Sequence, residues 1–469
     1  MFLIRSAVAL CALSLCVHAA QAQTSPAVSN LVAFSVSNPT GNLVRGADGA
    51  LYGVSAPSSS ITGGLVYRAT IDGSSITTLY QMDIDQAIQP QGGLTLGSDG
   101  MLYGTTRFGS SEEASTTGTV FKVSQSGAAF TVIHRFASAT GTNADFNPTN
   151  VEGAYPEAEL TEGTVGADVY LFGVTTAGGP NGTGAVFRVS RDGTAFDVLH
   201  TFAADTDTST SGLVVTLDGA APRGQLVQVG DVLYGTTSLG GANGRGTVFR
   251  IGVDGSGFEV LYEFSATTND ETTSQPENTD GAIPLAGLVD GNDGFLYGVT
   301  SVGGTDGLGV VYSIALADGA FAVLHHFNGE TGARPTAELL LGADGRLYGT
   351  TAAGGVTSAN AASTLGTIFS IDRWAAGTTL TRLHSFDGSV GTAPGSRLVQ
   401  LGDGDFVGTL AGGGNCSYGA IFRYRADGTT YTGNDRCGRR RNNDTGGGHG
   451  GVAFVLLLGS LAWLRRKTA

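Results

Sequence analysis

Residues 233–251 read Leu-Tyr-Gly-Thr-Thr-Ser-Leu-Gly-Gly-Ala-Asn-Gly-Arg-Gly-Thr-Val-Phe-Arg-Ile, and variants of this stretch recur along the chain. A block like Gly-Thr-Val-Phe follows each Leu-Tyr-Gly-like triplet, and a Pro-x-x-x-Leu pattern precedes it. The glycines of the triplets are Gly53, Gly104, Gly173, Gly235, Gly298, Gly349 and Gly408. Three independent markers therefore agree on seven repeat units.

Each unit predicts four short β-strands, because its blocks are rich in Val, Leu, Phe, Tyr and Thr and are punctuated by glycine. Asp-Gly pairs, which suit tight hairpin turns, separate the first strand from the second, as at Asp99-Gly100, and the third from the fourth, as at Asp192-Gly193. Units three and four lack the first pair, so we expect different turns there. Four strands per repeat are typical of a propeller blade. The predicted fold is all-β, a seven-bladed β-propeller of four-stranded antiparallel blades.

The last unit has no good fourth strand after residues 421–424, whereas residues 31–35, Leu-Val-Ala-Phe-Ser, resemble a displaced fourth strand. We predict that this N-terminal strand completes blade seven beside residues 419–424 and closes the ring, because an open array would leave apolar blade faces uncovered. The alternative is that residues 429–432 form this strand and the N-terminal segment is loose.

The predicted organisation has four parts. Residues 1–22 read as an export signal, with Arg5 before an apolar stretch and a cleavage pattern at Ala20-Gln21-Ala22. Leu15 is too bulky for lipoprotein processing at Cys16. The remaining parts are a propeller over residues 23–433, an Arg/Asn- and then Gly-rich linker over 434–451, and a short apolar segment with a basic end over 452–469.

Two cysteines remain after the signal, Cys416 and Cys437. An even pair in an exported chain predicts a disulfide. No histidine lies near either cysteine, so we expect no metal site there. Neither cofactor nor metal is predicted elsewhere. Calcium in the Asp-rich stretch 290–294 is a weak alternative to a simple turn, since the spacing of an EF-hand is missing.

The C-terminal order of a glycine cluster at 446–451, a short apolar run at 452–464 and Arg465-Arg466-Lys467 resembles the GlyGly-CTERM class of bacterial sorting signals. This resemblance implies cleavage by a rhomboid-like sorting protease and display at the cell surface or outer membrane, or release outside the cell. The alternative is a single-pass anchor, although the run is short for a permanent span. Contact with a membrane is predicted only through this segment.

The repeated unit itself resembles the GloVer (Gloeo/Verruco) repeat over nearly the whole exported chain. This resemblance implies a tandem-repeat architecture with surface anchoring, and it brings no known activity or catalytic residue. Unit seven departs most from the pattern, with Phe406-Val407-Gly408 in place of Leu-Tyr-Gly.

Several chemistries are disfavoured by the sequence. His134, His200, His325 and His384 share one repeat position with Tyr80 and Tyr262, which indicates a structural role, and His326 has no identifiable partner. The glycine runs lack the lysine of a phosphate-binding loop. A formal net charge of −15 argues against nucleic acid as a partner. We therefore predict no enzymatic activity.

Binding is expected on one face of the ring. If the strands are antiparallel, the second-to-third and fourth-to-next-first connections emerge together, and nearly all variation in length occurs there. These connections are residues 107–117, 138–155, 203–221, 265–283 and 352–365. We call the surface that they form the long-loop face. Variable loops on a fixed scaffold commonly carry recognition, so a glycan or a surface protein is the predicted partner.

A second set of candidates stands directly before the leucine of each Pro-x-x-x-Leu pattern, where we expect the mouth of a central channel. Its members with side chains able to bind a ligand are Asn42, Glu159, Gln225, Glu338 and Arg397. The alternative is that they are solvated strand ends. A hydrolase or lyase using Glu159, Glu338 and Arg397, and a purely structural surface protein, remain alternatives to the binding module.

Overall fold

The computed structural model describes residues 28–34, 37–57, 63–84, 87–109, 117–207, 213–269, 275–356, 365–373, 379–413 and 418–426. Within these ranges the chain is all β-strand and connection, without a helix. No helix of this part is long and apolar enough to cross a membrane. The signal segment, the cysteine pair, the Gly-rich linker and the C-terminal apolar segment lie outside the described residues.

The strands follow the repeat. An N-terminal strand, β1 (Val28–Ala33), precedes unit 1. Unit 1 contains β2 (Ser37–Arg45), β3 (Leu51–Pro57), β4 (Leu65–Ala69) and β5 (Ile76–Gln81). Unit 2 contains β6 (Ile88–Leu96), β7 (Met101–Phe108), β8 (Thr119–Ser124) and β9 (Phe130–Arg135). A small hairpin, β10 (Gly141–Thr142) and β11 (Pro148–Thr149), lies in the following connection. Unit 3 contains β12 (Thr161–Val165), β13 (Asp168–Thr175), β14 (Ala185–Ser190) and β15 (Phe196–Thr201).

The second half repeats the arrangement. Unit 4 contains β16 (Thr216–Pro222), β17 (Val227–Val229), β18 (Val232–Gly241), β19 (Thr247–Gly252) and β20 (Glu259–Glu263), followed by the hairpin β21 (Thr268–Asn269) and β22 (Pro276–Glu277). Unit 5 contains β23 (Val289–Asp290), β24 (Phe295–Thr300), β25 (Val310–Ala315) and β26 (Phe321–His326). Unit 6 contains β27 (Leu340–Leu341), β28 (Leu347–Thr351), β29 (Thr367–Ile371) and β30 (Leu380–Ser385). Unit 7 contains β31 (Thr392–Pro394), β32 (Val399–Gln400), β33 (Phe406–Gly412) and β34 (Ala420–Tyr424).

Each unit forms its own antiparallel sheet with neighbouring strands in chain order, as in β12-β13-β14-β15. The first strand is split in units 4 and 7, where β16 with β17 and β31 with β32 pair with one second strand. Units 1 and 2 are joined by a parallel bridge between Asn42 and Gly93 of their first strands. Units 3 and 4 make two-residue turns between their first and second strands, where Val165 pairs with Asp168 and Val229 with Val232, so their turns differ as expected.

The motif residues recur together because they pack on one another. In each triplet the glycine lies under the aromatic ring of the following Gly-Thr-Val-Phe-like block. A Cβ on Gly235 would lie 2.6 Å from Phe249, and one on Gly104 would lie 2.6 Å from Phe121. Only glycine leaves room for that ring. In units 1, 2, 5 and 6 the triplet tyrosine, in turn, donates its hydroxyl to the aspartate of the preceding Asp-Gly turn, as Tyr103 does to Asp99 at 2.7 Å.

The N-terminal strand β1 pairs antiparallel with β34 and supplies the fourth strand of the unit 7 sheet. Its register matches that of the other units: β1 skips one residue between Asn30 and Val32, and the pairs of third and fourth strands in units 1 to 6 shift at the equivalent point. The Phe34 amide donates to Gly419 O at 3.2 Å, as the Phe202 amide donates to Gly184 O at 3.1 Å.

Contacts between successive units also repeat. The glycine that opens each Gly-Thr-Val-Phe block lies against the marker proline of the next unit. A Cβ on Gly184, for example, would be 2.9 Å from Pro222 Cδ. Gly419 of unit 7 lies in the same way against Pro39 of unit 1, at 3.1 Å. The core is correspondingly divided into clusters between sheets, including one that joins Leu31 and Phe34 to residues of units 1 and 7.

Candidate functional site

The five side chains predicted at the channel mouth form one hydrogen-bonded group, which we call the axial cluster. They come from units 1, 3, 4, 6 and 7, at Asn42, Glu159, Gln225, Glu338 and Arg397. The Arg397 guanidinium lies at the centre and donates through Nη1 to Gln225 Oε1 at 2.8 Å and to Glu338 Oε2 at 2.9 Å. Its Nη2 donates to Glu159 Oε1 at 3.2 Å.

Further hydrogen bonds join members of the cluster to one another and to backbone amides. Asn42 Nδ2 donates to Glu159 Oε2 at 2.9 Å, and Asn42 Oδ1 accepts from the Arg397 amide at 2.7 Å. Glu338 Oε1 accepts from the Gln225 amide at 3.1 Å. The same repeat position in units 2 and 5 is glycine, and a Cβ on Gly287 would lie 2.3 Å from Gln225 O. The backbones of units 4 and 5 therefore meet too closely for a larger residue at Gly287.

Burial controls the electrostatics of the axial cluster. Glu159 and Glu338 are only 5% and 8% exposed, so they are not solvated strand ends, while the Arg397 side chain keeps 26% of its surface exposed. Desolvation raises the pKa of Glu159 to about 7, against the lowering effect of Arg397 and with a further rise from Glu338. The attraction of Glu159 raises the pKa of Arg397 in turn. Burial therefore favours the protonated form of Glu159 relative to a solvated carboxyl group.

The donors and acceptors of the axial cluster are largely used by its own members and by the neighbouring backbone. Gln225 Nε2, for instance, donates to Leu160 O at 2.9 Å rather than to solvent. Such mutual satisfaction stabilises a buried polar group, and it links residues of five repeat units. The cluster is thus built as an internal tie. Its use as a ligand site stays a prediction.

The fourth-strand histidines lie in aromatic stacks between units. His134 stacks on Phe196 and His200 on Phe258, each with ring centroids 3.7 Å apart, as Tyr262 stacks on Phe321 at 3.8 Å. Each of these three residues also contacts an acidic residue that binds the start of the following long connection. His200 Nε2, for example, lies 2.8 Å from Asp218, whose other oxygen accepts the Ala203 amide. These contacts are consistent with a structural role.

The last two of these histidines are too buried to charge readily. Desolvation lowers the pKa of His325 and of His384 to about 4. His326, which has no partner identifiable from the sequence, accepts the Thr305 amide at its Nδ1 at 3.3 Å.

The acidic stretch predicted as either a turn or a weak calcium site is occupied by its own contacts. Asp290 accepts the Asn292 amide, and Asp293 accepts the Phe295 amide and the Tyr297 hydroxyl. Arg373 also lies 3.1 Å from Asp293. Within the described ranges, no group of three or more His, Cys, Asp or Glu residues is arranged to hold a metal ion. These contacts favour the turn.

The connections of the long-loop face contact one another. Bridges join Ala154 to Ala177 and Ala282 to Val302, each between a fourth-to-first and a second-to-third connection, so both kinds emerge on one face. Three large apolar side chains on this face are highly exposed: Phe146 at 83%, Leu217 at 81% and Val151 at 72%. They belong to connections 138–155 and 203–221. Burial and the charge of Asp205 raise the pKa of Asp145, which indicates that these two connections are neighbours.

One ionic group on this face was missed by the sequence reasoning. The carboxylate of Glu157, the residue after a marker proline, lies between two arginines of the adjoining units. Arg107 Nε is 3.1 Å from Oε1, and Arg223 Nη1 donates to Oε2 at 2.5 Å. The Glu157 side chain is 6% exposed, while those of Arg107 and Arg223 are 37% and 41% exposed. Glu157 and Arg223 share one repeat position, directly after a marker proline, but their charges are opposite and Arg107 stands elsewhere in the repeat, so no single residue type marked the group in the sequence.

The model of the Gloeobacter/Verrucomicrobia repeat matches residues 17–147, 142–276 and 267–436, and the chain belongs to this family. No curated protein matches the chain. Solved structures similar to it include an extracellular domain assigned to a one-component system of B. thetaiotaomicron, at 10% identity and a TM-score of 0.48, covering 85% of this chain and 40% of that one.

Two further similar structures are enzymes. An oligogalacturonate lyase in complex with manganese is 11% identical, with a TM-score of 0.47, and the match covers 87% of this chain and 95% of the lyase. A gluconolactonase from Xanthomonas campestris is 14% identical, with a TM-score of 0.38 and coverage of 69% and 85%. Values this low carry no information on activity or ligand.

Proposed function

We propose that this repeat protein is a non-enzymatic binding module that contacts a glycan or a surface protein through its long-loop face. The main support for this proposal is the exposure of Phe146, Val151 and Leu217 on two neighbouring connections of that face. Single exposed apolar residues are common, whereas a contiguous exposed apolar patch marks an interaction site, and we propose that these neighbouring connections form one. The residues of the axial cluster, by contrast, are occupied by one another.

We also propose that the seven sheets form one closed propeller. The contact of Gly419 with Pro39 supports closure, because it repeats the contact between each earlier unit and its successor. A hydrogen bond from Arg423 Nη1 to Ile71 O joins units 7 and 1 in addition. A closed ring holds the long connections in fixed relative positions, as a binding surface requires.

Export and display remain proposals supported by the sequence. Residues 1–22 would direct export, residues 452–469 would act as sorting signal or anchor, and Cys416 and Cys437 would form a disulfide. These placements set the long-loop face outside the cytoplasm, where glycans and surface proteins are available as partners.

A binding assay tests the module directly. The full chain is applied to a glycan array and to cell-wall preparations, with and without calcium, and the Phe146→Ser and Leu217→Ser variants are compared with it. Phe295→Ser is the matched control, because Phe295 is a 40% exposed phenylalanine beside a turn between first and second strands, outside the long-loop face. Saturable binding that the first two variants weaken at least tenfold and the control keeps is expected. Equal binding by all variants contradicts the assigned face.

A second function is favoured by a specific observation. Glu159, with its pKa raised to about 7 beside Arg397, has the protonation behaviour of a general acid or base. The alternative function is therefore a hydrolase or lyase acting at the axial mouth. Turnover of a glycoside or uronide substrate that Glu159→Gln abolishes and Phe146→Ser leaves unchanged would replace the binding module by this enzyme.

A further inference from the structure

The long-loop face carries a local excess of positive charge on a strongly acidic chain. Glu157 provides one carboxylate for two guanidiniums, Arg107 and Arg223. Two other ion clusters of the described residues have no excess of guanidinium groups. In one, Asp403 and Asp405 balance Arg423 and Arg425. The axial cluster has two carboxylates for one guanidinium.

The two arginines have hydrogen-bonding capacity beyond Glu157. Arg223 uses Nη1 for Glu157, and Arg107 approaches the carboxylate with Nε. A guanidinium has five N–H donors in a planar fork that suits a carboxylate. Because both side chains are more than a third exposed, a second acceptor has access to them from solvent.

Aromatic rings hold the Arg107 guanidinium in place. Its central carbon lies 5.2 Å from the centroid of the Phe108 ring and 5.1 Å from that of Tyr155, and the two rings meet edge to face at 5.3 Å. Both rings are half-buried. The position is therefore ordered before a ligand arrives, and the ring surfaces beside it suit the apolar face of a small organic molecule.

The group of Arg107, Glu157 and Arg223 lies close to the axial cluster in the fold. Glu157 and Arg223 stand two residues before Glu159 and Gln225, in the segments that lead into β12 of unit 3 and β17 of unit 4. Arg107 lies at the end of β7, where a connection of the long-loop face begins. The group thus lies at the long-loop end of the axis, next to the axial cluster and separate from it.

We propose that Arg107 and Arg223 form a binding site for the carboxylate of an acidic sugar, a hexuronate unit within an otherwise neutral saccharide. The net negative charge, together with Asp145 and Asp205 on the same face, disfavours a polyanion and favours an isolated carboxylate. Tyr155 supplies a ring and a hydroxyl suited to a pyranose. This ligand class rests on the proposed function, since it specifies the glycan that the long-loop face binds.

Calorimetric titration of the full chain tests the site with D-glucuronate, its uncharged methyl ester, D-glucose and an acetylated dipeptide with a free C-terminal carboxylate. Glucuronate is expected to bind at least tenfold more tightly than the ester or glucose. Arg107→Gln and Arg223→Gln are each expected to weaken it at least tenfold. Arg188→Gln is the matched control, since Arg188 also pairs with a carboxylate, Asp197, and lies over a tyrosine ring, Tyr170, on β14 rather than at the mouth.

Glu157→Gln separates binding from a merely structural role. Because Glu157 competes with the ligand carboxylate for the guanidiniums, this variant is expected to bind glucuronate more tightly, whereas a purely structural tie predicts only a loss of stability. Equal affinity for glucuronate and glucose overturns the site, and tighter binding of the dipeptide replaces the sugar by a peptide.

If glycan-array binding persists while glucuronate does not bind, the site fails and the binding module stands. If glucuronate binds and the array and cell-wall assays are negative, the proposed module fails and the site stands.

Discussion

At the scale of single residues, the backbone holds a repeated left-handed conformation. The residue before the marker proline has a positive φ in units 2 to 7, at Gln89, Tyr155, Ala221, Ile283, Arg334 and Ala393. Each of these residues donates its amide to a carbonyl of the preceding unit, as Ala221 does to Thr183 O at 2.8 Å. A residue with a Cβ is disfavoured there by about 1–2 kcal/mol, so the contacts between units offset a strain that recurs around the fold.

Glycine at these positions relieves that strain. Ala221 and Ala393 have φ values of 51° and 53°. Substitution of either alanine by glycine removes only a methyl group. We expect Ala221→Gly and Ala393→Gly each to raise the free energy of unfolding by about 1 kcal/mol, measured by urea denaturation. The neighbouring Ala220→Gly is the control. Ala220 lies buried in β16, so glycine should lower stability there by roughly 0.5–1 kcal/mol. Unchanged or lowered stability in both test variants would refute the strain.

Glu159 should make stability depend on pH in an unusual direction. Its pKa is raised by burial from an ordinary 4.5 to about 7, so the folded state holds the proton more tightly than the unfolded state does. This contribution is present below about pH 4.5 and is lost as pH rises through about 7. Relative to Glu159→Gln, the native chain should therefore lose on the order of 1–3 kcal/mol of unfolding free energy between pH 5 and pH 8.

A matched pair of denaturation series checks this slope. Asp192→Asn is the control, because hydrogen bonds from Ser190 and Thr194 lower the pKa of Asp192 to about 2, well outside the window. Its stability should run parallel to that of the native chain from pH 5 to pH 8. A Glu159→Gln series that also runs parallel would mean that Glu159 is already ionised throughout this range.

At the scale of elements, β1 is an integral fourth strand rather than a loose terminus. Leu31 is fully buried and Phe34 is 6% exposed, within a cluster that includes Val407 and Ile421 of unit 7. The main chain of Leu31 also approaches Gly73 of unit 1, as that of Leu79 approaches Gly127 of unit 2. A strand with both of these contacts belongs to the core of the fold.

Removing the Phe34 ring should therefore cost as much as removing its equivalent inside the chain. We expect Phe34→Ala and Phe202→Ala each to lower the free energy of unfolding by about 3–5 kcal/mol, as large cavities in well-packed cores do. Both variants are measured by denaturant unfolding with tryptophan-independent detection, such as far-UV circular dichroism. A cost below about 1 kcal/mol for Phe34→Ala alone would indicate that β1 is dispensable.

At the scale of the whole molecule, the repeated markers predicted the all-β units because each marker has a local physical role. The glycine of the triplet and the ring of the following block require each other, so they recur together. The residues of the axial cluster were found because they share one repeat position, and the fold brings that position of several units together. Two features were not predicted. The group of Arg107, Glu157 and Arg223 combines opposite charges at one repeat position with an arginine at another, and the left-handed residues before proline vary freely in type.

A circular permutant tests the closed ring proposed above. Val28 pairs with Tyr424, so a short Gly-Ser linker can join the two ends, and new termini can be opened at the exposed turn of Asp318 and Gly319. We expect the permutant to keep the circular dichroism and the scattering radius of the native chain, because every inter-unit contact is retained. An extended or aggregated permutant would contradict closure.

The pairing of β1 with β34 also constrains when the protein can fold. Val28 and Tyr424 stand about 400 residues apart in sequence, so bringing them together is the longest-range step in assembly. During synthesis the first strand emerges early, and it stays unpaired, with Leu31 and Phe34 uncovered, until the final unit is complete. Native structure in the unit 7 sheet is therefore delayed until nearly the whole polypeptide exists.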